Sequence, residues 1–167
     1  MTSTAIIELL NELHPGAITS ALPGDKHPRV HTTAEYWPGL ARTLKSDARL
    51  MFDWLGCVTG LDYVATGQMA VCYELWSSKH DHQIAVKVYM SRLEPRIASV
   101  CDLWPAANWQ EREAFDMFGI EFTNHPDLRR ILLADDWVGF PLRKDYVFPR
   151  EYHGIPASVE LDWQQSK

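Results

Sequence analysis

The sequence predicts an α+β fold. It is a two-layer sandwich with a largely antiparallel sheet and helices on one face, followed by a short helix and an extended C-terminal tail rich in proline and aromatic residues. Three observations predict it. Mid-chain runs alternate apolar and polar side chains with the period of a strand, stretches before and after them place apolar residues at helical spacing, and beyond Gly119 prolines recur too often for long helices or central strands.

The elements follow in order. Ile6, Ile7, Leu9, Leu10 and Leu13 form one helical stripe, with Ser3 or Thr4 as N-cap and Pro15-Gly16 as the stop. Short extended runs at 17–20 and 29–32 flank the turn-rich Pro23-Gly24-Asp25. A second helix spans about 35–45. Thr32 and Glu35 resemble a capping box, Leu40 and Leu44 share a face, and Pro38 is tolerable only in the first turn. Residues 55–63 are apolar with β-branched members. Met69, Val71, Tyr73 and Leu75 alternate with Ala70, Cys72 and Glu74, and Ile84, Val86, Val88 and Met90 with Ala85, Lys87 and Tyr89. The polar stretch 77–82 joins these two runs as a hairpin loop, giving the order α-β-β-α-β-β-β.

A third helix is the best-marked element. Asn108 is its expected cap, with Glu111 returning the hydrogen bond, Phe115 and Phe118 sharing the face of Glu111, Arg112 and Asp116 forming an i,i+4 pair, and Gly119 supplying a left-handed stop. A helix of about ten residues is too short to stand alone in water, so it packs against the body. Residues 1–119 are thus expected to form the α+β domain, and 120–167 an extended partner-binding segment. That segment carries Pro126, Pro141, Pro149 and Pro156, yet also Phe122, Trp137, Phe140, Tyr146, Phe148, Tyr152 and Trp163. Disordered tails are poor in aromatics, so these point to ordering along another surface.

Composition narrows the function. With 46% hydrophobic and 23% charged residues the chain is ordinary for a globular protein, but seven Trp lean towards protein contacts, with about half of them filling the core. A net charge of −6 disfavours phosphate backbones and anionic lipid, where binding rests on Lys and Arg. Cys57, Cys72 and Cys101 are odd in number and widely spaced, the pattern of reduced, buried thiols in a cytosolic protein rather than of a cluster ligand set. The start Met1-Thr2-Ser3-Thr4-Ala5 lacks the features of a signal peptide, and no run approaches the roughly 18 apolar residues of a membrane span, so a soluble intracellular chain is expected. Phosphate-loop, dinucleotide and nucleophile-elbow motifs are absent from the sequence. His80 and His82, with His125 further on, raise a metal site, but without a second ligand pair at zinc spacing a polar hairpin loop is favoured.

The dense feature lies between 111 and 145, where five basic and eight acidic residues interleave. Carboxylates near a His can do acid–base work if burial shifts them. Closely mixed signs instead favour an ion-pair network that sets register with a neighbour.

The segments Glu111-Arg112-Glu113-Ala114-Phe115-Asp116-Met117-Phe118-Gly119-Ile120, His125-Pro126-Asp127-Leu128-Arg129-Arg130-Ile131-Leu132 and Pro141-Leu142-Arg143-Lys144-Asp145-Tyr146 resemble the 30 kDa subunit family of respiratory complex I. Members of this family are also known as the C-type subunit of NADH–quinone oxidoreductase, and as the J-type subunit in the photosynthetic complex. The resemblance implies a structural subunit of the quinone module in the peripheral arm. It would be held on the cytoplasmic side of the bacterial inner membrane, chiefly against the quinone-pocket (49 kDa, D-type) subunit. It implies no catalytic residue, metal or cofactor in this chain, with flavin mononucleotide and iron–sulfur clusters carried by other subunits that pass electrons from NADH to quinone and pump protons. Glu111, Arg112, Glu113, Asp116, His125, Arg129, Arg130, Arg143, Lys144 and Asp145 match the family motif and are the expected interface residues. The related small subunit of membrane-bound nickel–iron hydrogenases is the alternative assembly.

Overall fold

The structure is a computed structural model and describes residues 1–156; Trp163 of the predicted aromatic tail lies outside the described residues. Helix α1 spans Ser3–Leu13 and buries Ile6, Ile7, Leu9 and Leu10. Its N-cap is Thr2, whose hydroxyl accepts from the Ala5 N–H at 3.3 Å, so Ser3 and Thr4 lie within the first turn and not at the cap. Strand β1 (Ser20–Leu22) pairs antiparallel with β2 (Arg29–Thr33). The buried Thr32 hydroxyl donates to the Ala17 carbonyl at 2.7 Å. Thr32 lies inside β2, and the next helix starts after Tyr36 with no side-chain cap, so the expected capping box is absent. Helix α2 (Trp37–Ser46) starts two residues later than expected, after Tyr36 in α conformation, with Pro38 in the first turn where its missing N–H costs nothing.

Strands β3 (Trp54–Tyr63), β4 (Gln68–Ser77) and β5 (His82–Ser91) complete a five-stranded sheet of order β1-β2-β5-β4-β3. All its pairings are antiparallel except β2 with β5, which run parallel because α2 and the β3–β4 hairpin intervene between them. Strand alternation sorts the two faces. Met69, Val71, Tyr73 and Leu75 of β4, with Ile84, Val86, Val88 and Met90 of β5, point into one core with Leu10, Trp37, Leu40 and Leu44 of the helices. Trp54, Glu74, Trp76 and Gln83 lie on the opposite, helix-free face.

Two short strands escape sequence detection. β6 (Arg96–Ala98) and β7 (Glu121–Thr123) pair in parallel and bracket helix α3 (Ala107–Phe118). Each buries a single apolar residue, Ile97 and Phe122, which is too little for a periodic signal. α3 begins after Ala106 with no side-chain cap, so Asn108 is an inner first-turn residue and Glu111 is free for another task. Gly119 ends the helix as expected, at φ 72° with its N–H on the Phe115 carbonyl. α3 packs closely on β3 because Gly60 has no side chain: a Cβ there would stand 2.6 Å from the Phe118 ring.

The tryptophans divide. Trp37 and Trp104 are buried, Trp137 is half-buried, and Trp54, Trp76 and Trp109 are exposed, so fewer of the six described tryptophans fill the core than the half expected. The three thiols are free but only half-buried, because two of them (Cys57, Cys72) sit on the open sheet face and not in the core. Among the described residues no helix is long and apolar enough to cross a membrane.

Candidate functional site

Three charged side chains of α3 (Glu111, Arg112 and Asp116) are buried, which is costly unless each is fully bonded. Glu111 takes the Val100 N–H at 2.9 Å on one oxygen, and the Ser99 hydroxyl (2.6 Å) and Cys101 thiol (3.3 Å) on the other. Burial pushes its pKa up, and the hydrogen bonds only partly oppose this. Burial likewise raises the Cys101 thiol to about 12, so it stays protonated. Glu111 thereby tethers α3 to the loop after β6.

Arg112 and Asp116 do not form the expected i,i+4 pair; each reaches into the chain beyond α3. The Arg112 guanidinium donates to the carbonyls of Arg129 (3.2 Å) and Arg130 (3.4 Å), lies over the Trp109 ring, and stands 3.8 Å from Asp127. Asp116 accepts from Arg130 at 2.8 Å and from three successive backbone N–H groups, Ile131 (3.0 Å), Leu132 (2.7 Å) and Leu133 (3.0 Å). Burial raises its carboxyl, but these donors outweigh burial and the net direction is down.

The chain from His125 to Tyr152 is a strap fastened by further contacts of this kind. His125 donates from Nε2 to the Asn108 carbonyl (3.1 Å) and accepts the Asp127 N–H on Nδ1 (3.0 Å), an arrangement that assigns the neutral Nε2–H tautomer. Arg130 also holds the Gly139 carbonyl and lies over Phe140. Arg143 donates to the Phe118 carbonyl at 2.7 Å and lies over the Phe140 ring as well; burial lowers its pKa. Arg92 at the end of β5 bridges Asp62 (2.7 Å) and Asp145 (2.5 Å), and the Lys144 N–H donates to Asp62. Two glycines admit the rings: Gly119 faces Phe140, and Gly139 (φ 84°) faces Tyr146. Strands β8 (Glu151–Tyr152) and β9 (Ile155–Pro156) close the described chain as a small hairpin, with Asp136 joined to Tyr152 and His153.

The sequence-selected residues therefore separate. Glu111, Arg112, Asp116, His125, Arg130, Arg143 and Asp145 are joined to this chain's own groups. Among the described residues Arg129 pairs only with exposed Asp127, while Glu113 and the Lys144 side chain face solvent. Residues that sequence reasoning missed are apolar. Leu132, Val138, Leu142 and Val147 project from the strap beside Phe148, the ring the sequence had already singled out, with Val138 and Val147 both 85% exposed. Their signal was the excess of rings and aliphatics in a proline-broken segment.

Cys101, Glu111 and His125 bring donor atoms within 4.8 Å of one another, the one such triad among the described residues. Their thiol, carboxylate and ring nitrogens are engaged in the hydrogen bonds given above. His80 and His82, the metal candidates of the sequence, donate through Nε2 to the carbonyls of Ala48 and Leu50. That fixes the β4–β5 turn as the polar loop expected.

Residues 30–152 match the family model described as respiratory-chain NADH dehydrogenase, 30 Kd subunit. The chain is 48% identical over 120 residues to the C-type NADH-quinone oxidoreductase subunit of Chloroherpeton thalassium, a match covering 71% of this chain and half the length of that relative. Among solved structures it is similar to a trypsin-resistant fragment of Nqo5, at TM-score 0.62 and 29% identity, covering 77% of this chain and all of the fragment. A chain of the membrane-bound sulfane sulfur reductase, an archaeal respiratory membrane complex, shares the fold at TM-score 0.74 and 22% identity, covering 88% of this chain and 86% of that one.

Proposed function

Because the chain belongs to the family of the respiratory-chain NADH dehydrogenase 30 kDa subunit, we propose that it is a non-catalytic structural subunit of the peripheral, quinone-side module of a proton-translocating NADH–quinone oxidoreductase. In this reading flavin mononucleotide and the iron–sulfur clusters sit in other subunits, and electrons pass from NADH to quinone without visiting this chain. The 120–167 segment docks chiefly on the quinone-pocket subunit, and the assembly lies on the cytoplasmic side of the bacterial inner membrane.

One observation carries the reading. The strap turns Arg130 and Arg143 inward onto Asp116 and the Phe118 carbonyl, while Leu132, Val138, Leu142, Val147 and Phe148 stand exposed among its solvent-facing charges, more apolar surface than a free loop needs. Ion pairs and backbone hydrogen bonds preform its shape, so docking need not order it from scratch, and the exposed Leu132, Val138, Leu142, Val147 and Phe148 supply the area to be buried. The motif charges then act by shaping the strap, and Glu113, Arg129 and Lys144 remain to pair across the boundary. The engaged donor atoms of Cys101, Glu111 and His125 support the absence of a resident metal.

Val138→Asp combined with Val147→Asp tests this. The isolated variant is expected to keep its Tm, since both residues are exposed, but to be lost from the complex on native gels and in co-purification. Normal assembly of the variant would overturn the docking role, and turnover of NADH or quinone by the isolated chain would overturn the non-catalytic one. A hydrogenase-type assembly is separated by the neighbouring genes: a large subunit keeping its nickel-binding cysteines would reassign the complex.

A further inference from the structure

The helix-free sheet face carries a second feature that the strap does not use. Trp54 on β3 and Trp76 on β4 are direct cross-strand partners, and they are 62% and 40% exposed. Beside them a β-bulge between Leu55 and Cys57 inserts Gly56, whose lack of a side chain leaves room next to the Glu74 backbone and the Trp54 indole. The result is a cavity of about 270 Å³, walled by the two tryptophans and lined by His27, Pro28, Gly56, Glu74 and Gln83, with Glu74 its one carboxylate.

Glu74 sets the chemistry. It has no Lys, Arg or His within salt-bridge distance among the described residues, although most carboxylates in the strap region are paired. The chain also places cations over its own rings, Lys45 on Trp104, Lys87 on Tyr63, Arg112 on Trp109, and Arg130 and Arg143 on Phe140. Trp54 and Trp76 receive none of these. Two indoles beside a carboxylate without an ion-pair partner form a recess complementary to a cation carried on an apolar stem.

We propose that Trp54, Trp76 and Glu74 form a receptor for a basic side chain, an arginine or lysine, presented by a partner protein that seats on the open sheet face. The guanidinium or ammonium lies against the indoles and pairs with the Glu74 carboxylate, while its methylene stem replaces water along the ring edges. Charge complementarity selects this occupant: an acidic partner segment would meet Glu74 as a like charge, and a purely apolar one would leave that carboxylate unpaired against it. The site lies across the sheet from the helices and draws on no strap residue, so it stands or falls separately from the docking role of the strap.

The test uses the full chain with ¹⁵N-labelled tryptophan, titrated with the peptide acetyl-Gly-Arg-Gly-amide and with its norleucine counterpart. The expected result is a saturable shift of the Trp54 and Trp76 indole signals with the arginine peptide, and binding at least about fivefold weaker for norleucine and for Glu74→Gln. Trp76→Leu, which keeps an apolar wall but removes a ring face, should weaken arginine binding similarly, and serves alone if Glu74→Gln disturbs the fold. Equal shifts with both peptides would reduce the site to a plain apolar patch. No shift with either, or wild-type affinity in the variants, would also overturn the proposal.

Discussion

The buried Asp116 carboxylate holds the Arg130 guanidinium at 2.8 Å and, on its other oxygen, three consecutive backbone N–H groups from Ile131 to Leu133. One side chain on a helix thus sets the path of a segment that has no regular secondary structure. Replacing it by Ala leaves Arg130 and three amide donors without their acceptor. Removing one partner of a buried pair costs about 3–5 kcal/mol. Asp116→Ala should therefore release the strap, seen as faster trypsin cleavage at Arg129, Arg130 and Arg143 with far-ultraviolet circular dichroism nearly unchanged.

The two buried carboxylates of α3 respond oppositely to pH. Asp116 has its folded pKa below the unfolded value, so its stabilisation is present above about pH 4 and is lost as pH falls through the lowered value. Glu111 has its folded pKa raised, so the folded state binds more protons just above pH 4.5 and its contribution weakens as pH rises through the raised value. Glu111→Gln should flatten the stability profile above pH 4.5, and Asp116→Asn the profile below pH 4, each measured by urea midpoints across pH. Identical profiles for wild type and Glu111→Gln would contradict the assignment.

Arg112→Ala should cost more than an exposed ion pair's usual fraction of a kcal/mol, because the Arg129 and Arg130 carbonyls lose their donor inside a water-poor contact. The expected outcome is about 1–3 kcal/mol of lost stability together with reduced complex on native gels. A fully assembled complex containing the variant would refute it.

Gly119→Ala combines two penalties, a left-handed φ of 72° and a Cβ driven into the Phe140 ring. The backbone term alone is about 1 kcal/mol, so Tm should fall by several degrees, about 2–4 °C for each kcal/mol in a chain of this size. Gly67→Ala, where φ is 63° but the added Cβ meets nothing within 4 Å, should cost less. The difference between them isolates the contact with Phe140.

The body was legible in the sequence because its signals are periodic and local: the alternation through β4 and β5, the stripe of α1 and the glycine stop of α3. Caps and short pairings were not. Thr32 has a capping residue's chemistry but gives its hydroxyl to Ala17, fifteen positions away in the chain, and β6 meets β7 only after α3 intervenes. The charged block was visible as a network, yet spacing suggested an Arg112–Asp116 partnership where folding supplied Arg130 and three amides instead. Helical proximity is an offer of contact that buried backbone groups elsewhere can outbid.

The bulge in β3 has one more effect, at the border of the sheet. A ten-residue outer strand shows a row of unmet amides and carbonyls to any passing chain, a template for cross-β growth. Here the irregular register breaks that row, and the Gln110 side chain occupies the Val58 N–H at 2.7 Å. An unpartnered copy is thereby discouraged from polymerising with others of its kind.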